Sequence, residues 1–424
     1  MTTISSNARL SGGKHRVYAS AFGKHPGWDD HIEEMGLETD ALVRMKRVMY
    51  SEGMGGNIDS GAWEKLDESQ RLAEFNHIFY WRTPEGTLIG RMWSSTDGKG
   101  RSRYPMIVAA MVAGAPLAWA IDQILPRLET VAKRCGATKD QDEVRAALAE
   151  CKRGLEDAAA MLESAGPLSG TGRGGAGSEE ELLKRLVSHP DMNAEGKDRL
   201  GLERVLYEID RELTAFRPGG TKNRTSISAA MGPHMVRVPK CLNGPGEGAR
   251  AWNALMKGEV SGSVPMLMIE PREGKYLDII VGEPVPAAFF CVRANEAALP
   301  LTSVVPYTIP ADFAKASGEK IERFLSGRGL AASAAPPSVN AKGNEPAAGD
   351  VGRPKKPAWL IPAVGGGLVA AGLIVILLVV VARSTTGGGS NANPPIPEVP
   401  IVTVSYTHLR AHETKANLVC RLLL

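Results

Sequence analysis

The chain has 424 residues, 43% hydrophobic and 23% charged, with a formal net charge of only +3. That length supports a buried core in one large or two small domains, and so small a charge gives no electrostatic case for nucleic acid. Four of the five cysteines, Cys135, Cys151, Cys241 and Cys291, are scattered without CxxC or metal-ligand spacing, so they read as reduced, packed thiols and not as a disulfide framework.

Residues 1–13 are polar, lack the apolar run of a signal peptide and read as a disordered lead. His15 to Gly23 (HRVYASAFG) alternates like a strand and stops at the loop KHPGWDDH, where Pro26 and Gly27 forbid simple continuation. A helix is expected from about Thr39, with Leu42, Met45, Val48 and Met49 on one face. Asn76 to Thr83 and Thr87 to Ser95 read as two strands joined by a tight turn at Pro84 to Gly86. The loop TDGKGRSR, Thr96 to Arg103, then leads into YPMIVAAMVA, an apolar run typical of a buried strand.

From Pro116 the pattern turns helical. Pro116 to Cys135 has a kink at Pro126, and Val144 to Leu162 carries one apolar stripe that ends before the Gly-rich break Gly166 to Gly177. Ser178 with Glu181 makes a capping box for a short helix, and Leu200 to Phe216 extends the helical layer. Strands return at Met235 (MVRVP), Val264 (VPMLMIEP), Lys275 (KYLDIIVG) and Ala287 (AAFFCV), interrupted by a short helix around Trp252 and closed by a helix over about Ala311 to Leu325. Strands, then helices, then strands predict an α+β fold, a mixed sheet flanked by helices, in a cytosolic domain spanning 14–330.

Residues 331–357, rich in Ala, Pro and Gly, read as a flexible linker. The uncharged run Trp359 to Ala382 predicts a single transmembrane helix, because about 36 Å of helix crosses a hydrocarbon core of roughly 30 Å. Arg353, Lys355 and Lys356 precede it, which places the N-terminal domain in the cytosol and the chain in the inner membrane as a single-pass protein. Residues 383–403 then form a truncated extracytoplasmic linker. Val404 to Thr414 and Leu418 to Leu424 resemble reading frames of a sequencing adapter, so 404–424 are read as non-native, and Cys420, His408 and His412 carry no functional argument.

Two short motifs stand out. The first is FGK-P-x-x-D, here Phe22, Gly23, Lys24, Pro26 and Asp29. The second follows a tryptophan-containing strand as S-x-D-x-x-G-R-x-x-Y-P, here Ser95, Asp97, Gly100, Arg101, Tyr104 and Pro105. In this order and spacing they make the chain similar to the N-terminal region of the TagF (ImpM) family, accessory proteins of bacterial type VI secretion. The likeness is close over roughly the first quarter and looser beyond, and it departs where His25-Pro26-Gly27-Trp28-Asp29-Asp30 replaces the family's usual Ser-Arg-Gly-Asp-Phe-like loop. The resemblance implies a non-enzymatic adaptor or regulator whose partner is a forkhead-associated or other type VI secretion component. Lys24, His25, Trp28, Asp29, Asp97 and Arg101 are the candidate partner-binding residues.

Asp97 and Arg101 flank a Gly-rich turn, so their pairing either fixes the loop or leaves Arg101 to grip an anion; turn chemistry favours the first. Gly170, Gly172 and Gly175 match GxGxxG formally, but a helix precedes them and no GK[ST] follows, so a linker is the better reading. His25, Asp29, Asp30 and His31 form a conceivable metal or acid–base cluster, yet adjacent carboxylates point apart. No catalytic, cofactor or metal site is assigned. Two other readings stay open: a single-pass receptor whose outer domain is lost, and a tethered enzyme, which would need a pocket converging on His25, Asp29 and His31.

Overall fold

The side chains of one strand already require a three-layer arrangement. Along Asn76–Thr83 (β2), Ile78 and Tyr80 join one buried cluster while Phe79 and Trp81 join another, the period of two that sends neighbouring residues to opposite faces. Both faces of the sheet are therefore covered. The computed structural model describes residues 15–32, 34–164, 178–217 and 232–326, all within a compact unit that runs from Met1 to Ser338.

The described sheet has seven strands: β1 (Val17–Gly23), β2, β3 (Gly86–Ser94), β4 (Pro105–Val112), β5 (His234–Pro239), β6 (Met266–Pro271) and β7 (Tyr276–Val281). Their order is β1-β4-β3-β2-β6-β7-β5, and every neighbouring pair is antiparallel. β4, PMIVAAMV, is buried at every position because it lies inside the sheet with a layer on each side.

On one face lie the helices α3 (Leu117–Ala137), α4 (Gln141–Ser164), α5 (Glu179–Val187), α6 (Leu200–Glu212), α7 (Glu247–Met256) and α8 (Ala311–Leu325). The other face is covered by α1 (Asp40–Met45), which continues through a π-helical stretch, Lys46–Met54, into α2 (Gly55–Asp59). Thr39 starts that run by accepting the Leu42 amide on its hydroxyl at 3.2 Å. Ser178 caps α5 in the same way, accepting from the Glu181 amide at 3.2 Å.

Three expectations are corrected. The sheet is antiparallel throughout and not mixed: unbroken apolar runs mark strands buried on both faces but do not fix direction, and here hairpins join β2 to β3 and β6 to β7. No helix among the described residues is long and apolar enough to cross a membrane, so the expected transmembrane helix forms no part of the described fold. The longest described helices, α3 and α4, are amphipathic. The run 359–382 on which that expectation rested lies outside the described residues, as do 1–13, 331–357 and 383–424. Finally, AAFFCV is a 3₁₀ segment, Pro286–Val292, in which Phe289 and Val292 are buried one three-residue turn apart.

At the sheet's far edge, Arg237 on β5 faces Asp278 on β7 through two hydrogen bonds, 2.7 and 2.8 Å long, with both side chains buried. The same guanidinium donates to the carbonyls of Asn295 and Leu299 and stacks 3.9 Å above the Tyr276 ring. Asp278→Ala would leave this cation buried and unpaired, at a cost of about 3–5 kcal/mol. Urea unfolding reads it out; a loss under 1 kcal/mol, on the scale of a surface pair, would show that the carboxylate does not hold the edge.

Candidate functional site

The two motifs sit on separate loops, one after β1 and one between β3 and β4. They meet because β1 pairs with β4, with Phe22 opposite Ile107 and Gly23 opposite Met106. Gly23 is required at this crossing. Its φ is +110°, and a Cβ there would lie 2.2 Å from the Pro105 carbonyl oxygen. The Lys24 amide donates to that same oxygen at 3.2 Å, so the first loop is pinned where the second ends.

Asp97 is the hub. Its Oδ1 accepts the amides of Lys99 (2.9 Å) and Arg101 (3.0 Å), while Oδ2 accepts Arg101 Nε (2.7 Å) and Lys24 Nζ (2.8 Å). Lys24 also pairs with Asp30. Arg101 spans back to the first loop, donating to the Asp29 carbonyl at 2.8 Å and lying 3.3 Å from the Asp30 carboxylate. Gly100, at φ +79°, makes the tight return that lets Asp97 receive its own loop. Burial alone would raise the Asp97 carboxyl, but the bonds from Lys24, Arg101 and Lys99 outweigh it and hold the group well below the usual carboxylate range.

The rest of the first loop is packed beneath the turn between α3 and α4. His25 donates from Nε2 to the Cys135 carbonyl at 2.9 Å and accepts the Gly27 amide on Nδ1 at 3.1 Å. Burial lowers its pKa, which the Cys135 contact only partly offsets, and both bonds suit the neutral ring. Gln141 donates to the Gly27 carbonyl at 2.7 Å, and the Arg145 guanidinium lies 5.6 Å from the Trp28 ring centroid.

Of the six candidate partner-binding residues, Lys24 (4% exposed), His25 (1%), Trp28 (6%) and Asp97 (2%) are thus buried, whereas Asp29 and Arg101 are exposed. The first four shape the loops; only the last two present side chains to solvent. Asp97 and Arg101 take the loop-fixing role that turn chemistry favoured. The acid–base candidates do not converge: His25 turns inward to Cys135, Asp29 pairs with Lys99 at 3.8 Å, and His31 bonds Asp30 at 2.9 Å. Pro26 is half-buried in the first loop, and Ser95 lines a separate depression of about 470 Å³ with Trp63, Arg71 and Arg293.

Beside the ion network lies an open notch of about 320 Å³, lined by Phe22, His31, Lys46, Tyr50, Ser51 and Tyr104. Its rings meet edge to face or tilted: Phe22–Tyr50, His31–Tyr104 and Tyr50–Tyr104 each at 5.4 Å between centroids, and His31–Tyr50 at 5.8 Å. Tyr50 reaches the Pro105 carbonyl at 3.4 Å, tying the notch to the motif crossing. Motif residues Phe22, Tyr104 and Pro105 thus act here. Lys46, Tyr50 and Ser51 carry no sequence signal as site residues, because the pattern of the helix they occupy reports only its apolar face. They come from the π-helical stretch, a geometry often found at functional sites.

No family model matches this chain, and no curated protein matches it.

The depressed Asp97 carboxyl sets a pH prediction. A carboxylate stabilised in the fold contributes above its unfolded value of about 3.9, and that contribution is lost as pH falls toward the folded value. The stability advantage of the wild type over Asp97→Asn is therefore expected to be full above about pH 4 and to shrink below it. Thermal unfolding across pH 2–7 measures this; a pH-independent difference would remove the charge from the account.

Proposed function

We propose that this protein is a non-enzymatic adaptor that acts by protein–protein contact through the aromatic notch and its charged rim. The context is the one its TagF-like motifs imply: control of type VI secretion, with a forkhead-associated or other component of that system as the partner. The observation that carries the reading is the open, ring-lined notch beside the buried Asp97 network. A preformed apolar cleft beside exposed charges suits a partner's aromatic or branched side chain, since interface energy concentrates in such anchors while the rim excludes water.

The rim carries both signs, Asp29 and Asp30 against Lys99 and Arg101, all exposed. Mixed charge of this kind selects orientation and partner more than it adds affinity. His31 bridges the two regions, bonding Asp30 and packing on Tyr104.

Binding to a purified forkhead-associated domain of a type VI secretion system, measured by calorimetry, tests the reading. Tyr104→Ala is expected to weaken binding by about 1–3 kcal/mol and Arg101→Glu to slow association, with melting temperatures checked for each variant. Unchanged affinity in both folded variants, or no binding by the wild type, would contradict it.

A further inference from the structure

Away from the notch, two turns bring three metal-ligating side chains together. His189 and Asp191 flank Pro190 in the turn between α5 and α6, and Cys241 lies just after β5. One donor atom from each, an imidazole nitrogen, a carboxylate oxygen and the thiol sulfur, all lie within 4.8 Å of one another. We propose that His189, Asp191 and Cys241 bind a divalent transition-metal ion of the zinc class, with a fourth position open to solvent.

The ligand chemistry selects that class. Thiolate with imidazole and one carboxylate suits zinc or cobalt, whereas calcium and magnesium take oxygen ligands. Tetrahedral zinc, with bonds of about 2.0–2.3 Å, sets its ligand atoms roughly 3.3–3.8 Å apart, so closing the site needs movement of only about an ångström. Asp191 is exposed, which leaves the fourth position to water.

Both turns are built to hold these groups. His189 Nδ1 accepts the Asp191 amide at 3.2 Å and lies 3.6 Å from Asp191 Oδ2, which holds the ring and the carboxylate side by side. The Met192 amide returns to the His189 carbonyl at 2.9 Å, and the Met192 side chain is fully buried.

Cys241 is held in place by its own turn. The Leu242 amide bonds the Lys240 carbonyl at 2.7 Å across it, and its φ is +63°, which makes Cys241 the centre of a classic γ-turn. That turn is rare and strained for any residue with a Cβ, and glycine would occupy it with less strain. Neighbouring bonds enforce it: Trp252 Nε1 donates to the Pro239 carbonyl at 2.8 Å and the Lys240 amide to the Lys275 carbonyl at 2.7 Å. The turn places the thiol beside His189 and Asp191, where it donates to the Pro239 carbonyl at 3.6 Å. A bound ion would tie the α5–α6 turn to the edge strand β5.

The test uses the full chain, freed of metal under reducing conditions and titrated with cobalt(II). One equivalent is expected to give a thiolate-to-cobalt charge-transfer band in the near ultraviolet, displaced by zinc. Cys241→Ser should abolish the band, which separates this thiol from the other four cysteines. His189→Gln, at a half-buried position, should weaken cobalt binding by more than about tenfold and abolish the zinc-induced rise in melting temperature while its circular dichroism stays native. No band in the wild type, or a band and a zinc-induced shift that persist in both variants, would overturn the proposal.

Discussion

The Asp97 carboxylate is the constraint on which the site depends. It is a buried charge, and a buried charge is tolerated only when its desolvation is offset by partners in good geometry. Four donors meet that requirement: two backbone amides of its own loop, the Arg101 guanidinium and Lys24 from the other loop, 73 residues away in sequence. Three of those bonds make one loop a closed turn, and the fourth makes two loops one body. Arg101 returns the connection through the Asp29 carbonyl, so the two loops are braced in both directions.

The sheet makes this junction available. Because β1 and β4 are antiparallel neighbours, the end of one lies beside the start of the other, and the two motif loops emerge at the same end. The layers on either side then divide the labour. Beneath the first loop the α3–α4 turn receives His25 and Gly27 and stiffens the buried side. On the other face the π-helical stretch brings Tyr50 against Phe22 and Tyr104, which opens the notch. The candidate surface is thus a by-product of how two covering layers grip the same pair of loops.

Much of this was legible in the residues. The alternation in His15 to Gly23, the capping pair Ser178 and Glu181, and the stripe along α4 each report a local period or a local hydrogen bond, and each element forms where its pattern lies. What failed was non-local. An apolar run such as PMIVAAMV shows that both faces are covered but not which way a neighbour runs. AAFFCV satisfies the composition of a strand, yet Pro286 removes a donor and the buried pair Phe289 and Val292 follows a three-residue turn. The burial of Lys24, His25 and Trp28 is not legible in sequence, because a Gly- and Pro-containing loop usually is surface and nothing near them announces that residues 135–145 will cover them. Tyr50 shows the converse, an aromatic residue on a helix whose role follows only from the loop opposite it.

If the two loops form a single cross-braced unit, a change in one must be felt in the other. Hydrogen exchange compared between the wild type and Lys24→Met, which keeps the apolar stem and removes the ammonium, measures that coupling most directly. The account predicts faster exchange at the Gly98, Lys99 and Arg101 amides, whose acceptors are the Trp28 carbonyl and the Asp97 carboxylate, with the β2–β3 hairpin unchanged. Exchange altered only within residues 24–31, with the second loop as protected as before, would contradict it.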